Sequence, residues 1–146
     1  MMNNPDEQFC VGQKAVIHKN GEVLVLHDPV PSPGNIDLPG GKIQVGELDF
    51  SAALQREVTE ETNLQIKVGR PFYTSYWEFK KDSEHRNSGK KIYLVFYACE
   101  YVSGDLQISS EHDWSEWVTA ANYAQAFKDR NNIYDALTVY FNELKK

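Results

Sequence analysis

Cysteine is scarce in this 146-residue chain. Cys10 and Cys99 are too few for a disulfide framework, and no CxxC pair or Cys/His cluster suggests zinc. Long apolar runs are missing too: no stretch approaches the roughly 18 residues that a bilayer-spanning helix needs. Excess positive charge is also lacking. The 15 Lys and Arg against 21 Asp and Glu leave a net charge of −6. That balance argues against a bulk electrostatic grip on a nucleic-acid polymer or an anionic membrane. The N-terminal MMNNPDEQF has neither the basic start nor the apolar core of a signal peptide. The expectation is a reduced, soluble, cytoplasmic protein with neither a membrane nor a nucleic-acid polymer as partner.

What is present suits one globular domain over residues 1–146, with 41% hydrophobic and 25% charged residues. In VGQKAVIHKNGEVLVLHD, apolar and polar residues alternate on both sides of Asn20-Gly21. An Asn-Gly pair favours a type I′ turn, so Val11–His18 and Glu22–Leu26 are expected to form a β-hairpin. A Pro/Gly-rich loop follows at 29–35, and then a double glycine, Gly40-Gly41, where backbone must approach something closely. From Asp49, a plausible N-cap, the pattern is helical, with Phe50, Leu54 and Val58 as the core stripe and Asn63 as a left-handed end. Strands are expected at Leu64–Val68 and Phe72–Phe79, around a break at Gly69-Arg70-Pro71, then at 91–101 and at Glu116–Val118. Thr119 is expected to cap a helix ending near Lys128, and Ile133, Leu137, Tyr140, Phe141 and Leu144 mark a C-terminal amphipathic helix. This order implies an α+β or α/β protein, a mixed sheet covered by helices.

The stretch REVTEETNL (56–64) poses a physical problem. On a helix, Glu57, Glu60 and Glu61 stand at i, i+3 and i+4, three like charges side by side near the negative end of the dipole. Each such pair opposes the helix by about 0.2–0.5 kcal/mol. A hard divalent cation would remove the repulsion, because magnesium takes carboxylate oxygens while keeping waters and substrate phosphates in its shell. A carbonyl of Gly40 or Gly41 can join such a site, and the missing side chains leave room for a phosphate.

These residues carry a resemblance. GGKIQVGELDFSAALQREVTEETNL (40–64) is similar to the Nudix box of the Nudix hydrolases, Gly-x5-Glu-x7-Arg-Glu-U-x-Glu-Glu-x-Gly-U, where U is aliphatic. Gly41, Glu47, Arg56, Glu57, Val58, Glu60, Glu61 and Leu64 take the specified positions. Two departures stand out: eight residues rather than seven separate Glu47 from Arg56, and Asn63 replaces the final Gly. The first is expected in the loop-to-helix entry around Leu48–Asp49, upstream of the helical register of Arg56 and Glu57.

The resemblance implies an α/β/α sandwich with a central mixed sheet, and magnesium-dependent hydrolysis of a diphosphate linkage in a small nucleotide-type substrate, manganese being a substitute. It implies that Glu57, Glu60 and Glu61 form the metal and base cluster, with Glu57 either base or ligand. Arg56 would orient Glu57, Glu47 would assist, and Gly40 or Gly41 would complete the metal shell. A catalytically silent Nudix-fold nucleotide-binding module is the rival, supported by the extra residue after Glu47.

Outside the box, Glu111 is a candidate distal metal ligand, or else part of an exposed polar loop. Its resemblance to an acid-bearing Nudix loop favours nucleoside triphosphate or dinucleoside polyphosphate substrates. Lys42 and the basic 80–91 loop, with Arg86 and Lys91, are candidate phosphate contacts, although charged hairpin tips also serve solubility. Tyr73, Tyr76, Trp77 and Tyr93 either stack on a base or belong to the core. Monomer and homodimer both stay open.

Overall fold

The computed structural model describes residues 4–28, 35–79 and 88–144. β1 (Cys10–Lys19) turns into β2 (Glu22–Asp28) through Asn20 at φ 52° and Gly21 at φ 82°, the two left-handed residues that a type I′ turn requires. The hairpin pairs only at its tip, His18 with Val23 and Lys19 with Glu22. Beyond that β1 and β2 diverge, and two short strands fill the split. β3 (Asn35–Asp37) pairs antiparallel with β2, and β4 (Gly40–Lys42) pairs antiparallel with β1. The bend between them is fastened by the Ala15 amide donating to the Pro39 carbonyl at 2.8 Å.

On its other side β1 runs parallel to β6 (Lys91–Ser103), and β6 is antiparallel to β5 (Gln65–Glu78). β7 (Trp114–Val118) pairs antiparallel with β2. Among the described residues the result is a seven-stranded mixed sheet. Successive strand residues face opposite sides, so β1 and β2 feed two cores. Ala15, Ile17, Leu24 and Leu26 pack under helix α1 (Phe50–Thr62) with Leu54 and Val58. Val16, Val23 and Val25 pack on the other face, with Ile133, Ala136 and Leu137 of helix α3 (Asn132–Val139). Helix, sheet and helix therefore form three layers.

Several expected boundaries shift. Asn35, expected in a loop, opens β3, and the double glycine lies in β4; residues 29–34 fall outside the described set. The Gly69–Pro71 break is a change of register inside one continuous strand. Gly69 passes so close to the Ala98 carbonyl that a Cβ would meet its oxygen at 2.3 Å, and Pro71 lacks the donor that regular pairing uses. β7 begins at Trp114 rather than Glu116. Thr119 caps no long helix: its carbonyl accepts from the Asn122 and Tyr123 amides, and α2 (Tyr123–Ala126) is a single turn. α3 continues as a wider π turn at Tyr140–Leu144. Phe50 is 49% exposed and drops out of the core stripe, which begins at Ala53 and Leu54.

Candidate active site

α1 starts where the Asp49 carboxylate accepts from the Ala52 amide at 3.0 Å, and ends at Asn63, left-handed at φ 65°. Its C-terminal carbonyls are satisfied by a distant loop. Ser109 donates its amide to the Glu61 carbonyl at 2.9 Å, Gln107 to that of Thr62 at 3.0 Å, and the Asn63 side-chain amide reaches the Asp105 carbonyl at 3.0 Å. These bonds pair the negative end of the helix and tie the loop bearing Glu111 and His112 to the acidic face.

On that face the repulsion is met by Arg56. Its guanidinium forks onto Glu47, Nε to Oε2 and Nη2 to Oε1, both at 2.9 Å. Nη2 also reaches Glu57 Oε1 at 3.0 Å, and Nη1 reaches both Glu60 oxygens at 3.1 and 3.2 Å. The hydrogen bond from Arg56, with another from the Gln44 amide, holds the Glu47 carboxyl below the usual range; Glu47 in turn raises Arg56 further above its own. The extra residue therefore does not displace Glu47. Between Glu47 and Arg56, exposed Leu48 and the Asp49 cap lead into α1.

Glu61 is only 6% exposed, and burial pushes its carboxyl up to about 8, against the opposing pull of Lys14 and His112. Both glycines abut carboxylates. The Gly40 amide donates to Glu61 Oε2 at 3.3 Å, while a Cβ on Gly41 would lie 2.6 Å from the carboxyl carbon of Glu57. Gly40 has φ 150°, and a Cβ there would come within 1.9 Å of the Gln13 carbonyl oxygen.

These groups stand at one end of a cleft of about 740 Å³ on the α3 face of the sheet. Of the expected residues, Gly40, Gly41, Lys42, Glu57, Glu60, Glu61 and Glu111 line it, and Glu47 and Arg56 stand behind. Lys91 and Tyr93 do not line it. Lys91 pairs with Glu7, and Tyr93 alternates with the cleft-lining Ile92 and Leu94, so it faces the opposite side of β6. Arg86, Lys80 and Lys81 lie outside the described residues. Trp77 is half exposed at the cleft wall, whereas Tyr73 packs on Phe96 in the core.

Sequence reasoning missed Lys14, Asp37, Asn35, Asn131 and Asn132, all of which line the cleft. Asn131 caps α3, accepting from the Tyr134 amide at 3.0 Å, and its own amide bridges to Asn35 Oδ1 and the Ile36 carbonyl, both at 3.2 Å. An Asn just ahead of an apolar helical stripe was an available N-cap signal; its link to β3 had none.

The carboxylates of α1 and backbone carbonyls such as those of the neighbouring glycines fit a hard divalent cation in donor type. Among the described residues, no three His, Cys, Asp or Glu side chains are gathered into a cation cluster. Convergence on one ion would require Glu60, which gives both its oxygens to the guanidinium, to turn, whereas Glu57 contacts it through Oε1 alone.

Residues 11–138 match the profile of the NUDIX domain. The NAD-capped RNA hydrolase NudC of Haemophilus influenzae is 30% identical over 114 residues, covering 75% of this chain and 39% of that protein. The chain thus spans well under half the length of these curated relatives. Among solved structures, the MutT protein from Methanosarcina mazei Go1 is 25% identical with a TM-score of 0.78, over 98% of this chain and 100% of that one. A NUDIX hydrolase from Nitrosomonas europaea has a TM-score of 0.71 at 18% identity, over 91% and 88%.

Proposed function

The chain belongs to the Nudix hydrolase family, and on that premise we propose that it hydrolyses a diphosphate linkage in a small nucleotide-type substrate with the help of magnesium or manganese. The observation that carries this is the approach of the Glu57 and Glu61 carboxylates to Gly41 and Gly40 at the end of one cleft. Glu57, Glu60, Glu61 and a carbonyl of Gly40 or Gly41 would hold the cation, with Glu111 as a further ligand from the tethered loop. When bound, the cation neutralises the bridging phosphates and acidifies an attacking water.

The remaining work falls to the chain. Arg56 fixes the Glu57 carboxylate through its Nη2 contact, the orientation that a ligand or general base needs. Glu47 anchors Arg56 and does not face the substrate. Gly41 keeps the approach to Glu57 free of side-chain bulk, and Lys42, which lines the cleft, would meet a phosphate. Nucleoside triphosphates and dinucleoside polyphosphates are the favoured substrates, supported by the place of Glu111 on the cleft. The NudC relatives are named for NAD-capped RNA, so that substrate belongs among the candidates. Residues 1–146 are read as one domain of this kind. A cytoplasmic setting is part of the same proposal, supported by the free thiols of Cys10 and Cys99.

A hydrolysis screen in millimolar magnesium, with nucleoside triphosphates, nucleotide sugars, ADP-ribose, dinucleoside polyphosphates and NAD-capped RNA, tests this. The wild type is expected to turn over at least one class. Glu60→Gln and Glu61→Gln are expected to lose about 100-fold or more while keeping a folded circular-dichroism spectrum, since losing a ligand costs at least what losing a supporting residue does. Unchanged turnover in either variant removes that residue from the site. No turnover of any class by the wild type favours the silent binding module.

A further inference from the structure

Lys14 lies where the fold alone would not put a cation. On β1 the residues facing the cleft side are Gly12, Lys14 and Val16, and Val16 is fully buried in the core. Lys14 pairs across β1 and β6 with Phe96, itself fully buried, and its side chain is only 15% exposed. An aliphatic residue would satisfy that row of the sheet, and desolvating an ammonium is costly.

The ammonium is held by Asp37 at 2.9 and 3.0 Å and by the Leu38 carbonyl at 3.4 Å. Asp37 is itself fixed by the Leu38 amide, which donates to Oδ1 at 2.7 Å. A partly buried ion pair of this kind adds little stability over a packed apolar pair, so stability does not explain it. What the pairing does achieve is position. The charge stands at the split between β1 and β3, on the cleft and near enough to act on the Glu61 carboxylate.

Among the described residues, five carboxylates (Asp37, Glu57, Glu60, Glu61 and Glu111) and three lysines (Lys14, Lys42 and Lys90) line the cleft. A polyphosphate entering it meets net negative charge wherever a cation does not neutralise the α1 acids. Resting on the function proposed above, we infer that Lys14 is a specificity-determining residue. Its Asp37-positioned ammonium receives phosphate oxygens of the substrate, and so favours substrates carrying a chain of three or more phosphates over nucleotide sugars with two. An ammonium suits this role as a compact point charge.

The test is calorimetric titration, in millimolar magnesium, of two non-hydrolysable methylene-bridged ligands, a nucleoside triphosphate analogue and a nucleotide-sugar analogue. Lys14→Met is expected to weaken the triphosphate analogue by about tenfold or more, the worth of one charge-assisted hydrogen bond, and the sugar analogue by clearly less. Its Tm is expected to fall, because Asp37 loses its partner, whereas Lys14→Arg keeps the pair and should recover much of the lost affinity. Equal affinity in wild type and Lys14→Met overturns the inference, as does an equal loss for both ligands. A lower Tm with unchanged affinity assigns Lys14 to the fold and overturns it as well. If the wild type hydrolyses a substrate from the panel while Lys14→Met binds normally, only Lys14 is misassigned. If the wild type neither binds these ligands nor hydrolyses any substrate, both proposals fall.

Discussion

Gly41 and Glu57 touch: a Cβ on the glycine would lie 2.6 Å from the glutamate carboxyl carbon and 2.7 Å from Oε2. The obstructed atoms belong to the far end of a flexible side chain, so the glutamate, rather than the backbone, would give way. Gly41→Ala is therefore expected to fold normally and to lose turnover by about 10–100-fold, the range seen when a ligand or base is misdirected. Gly40→Ala differs, because its Cβ would strike the Gln13 carbonyl at 1.9 Å from a positive φ. It should lose stability outright. Parallel thermal melts and rate measurements on the two variants separate these outcomes, and equal melting losses would show that Gly41 is only structural.

Arg56 bridges Glu47, Glu57 and Glu60 with a planar fork that lysine cannot reproduce. Arg56→Lys keeps the positive charge and loses the geometry. We expect kcat/KM to fall about 10–100-fold while the melting temperature changes little. Wild-type kinetics in this variant would mean that Arg56 contributes charge alone.

Glu61 makes the metal-free protein pH-dependent. Its carboxyl rises from an ordinary 4.5 to about 8 in the folded state. Below 4.5 both states hold the proton and Glu61 costs nothing. Between 4.5 and 8 the unfolded chain ionises while the folded chain stays protonated, so stability falls as pH rises and levels off above 8. In EDTA, Glu61→Gln should match the wild type near pH 4 and exceed it near pH 8, read by denaturant midpoints. Parallel pH curves for the two proteins contradict this. Millimolar magnesium should restore wild-type stability near pH 8 and do less for the variant.

Asn63 ends α1 left-handed while its side chain holds the Asp105 carbonyl. Asn63→Ala forfeits that bond and sets a residue that tolerates the left-handed region less well at φ 65°, at a cost of about 1–2 kcal/mol. Asn63→Gly relieves the backbone as it loses the bond, and should stay within about 1 kcal/mol of wild type. Urea unfolding measures both; equal losses in the two variants would give the side-chain bond the main role.

Much of this was legible along the chain because it is local. The type I′ turn at Asn20-Gly21, the Asp49 cap, the Asn63 end and the register of Glu57, Glu60 and Glu61 each depend on residues a few positions apart. Strand ends were less legible, because pairing partners decide them. Asn35 becomes a strand residue through His27 and Asp28 of β2, and β7 reaches back to Trp114 through His27. Phe50 and Tyr93 were misread for a related reason: an apolar residue at the end of a periodic run, or an aromatic on a strand, has no fixed face until the layers are in place.

The sequence by itself determined the acidic helix and its ends, since helical period and capping are properties of contiguous residues. Only the tertiary structure decided what that helix faces. The divergence of β1 from β2 admits β3 and β4, and this places Lys14 against Asp37 across 23 positions and Asn131 against Asn35 across 96. It also closes the Arg56 fork on Glu47 despite the extra residue between them. Such contacts follow from strand pairing and layer packing, whose partners are chosen by burial over the whole chain, and no short stretch of sequence encodes them.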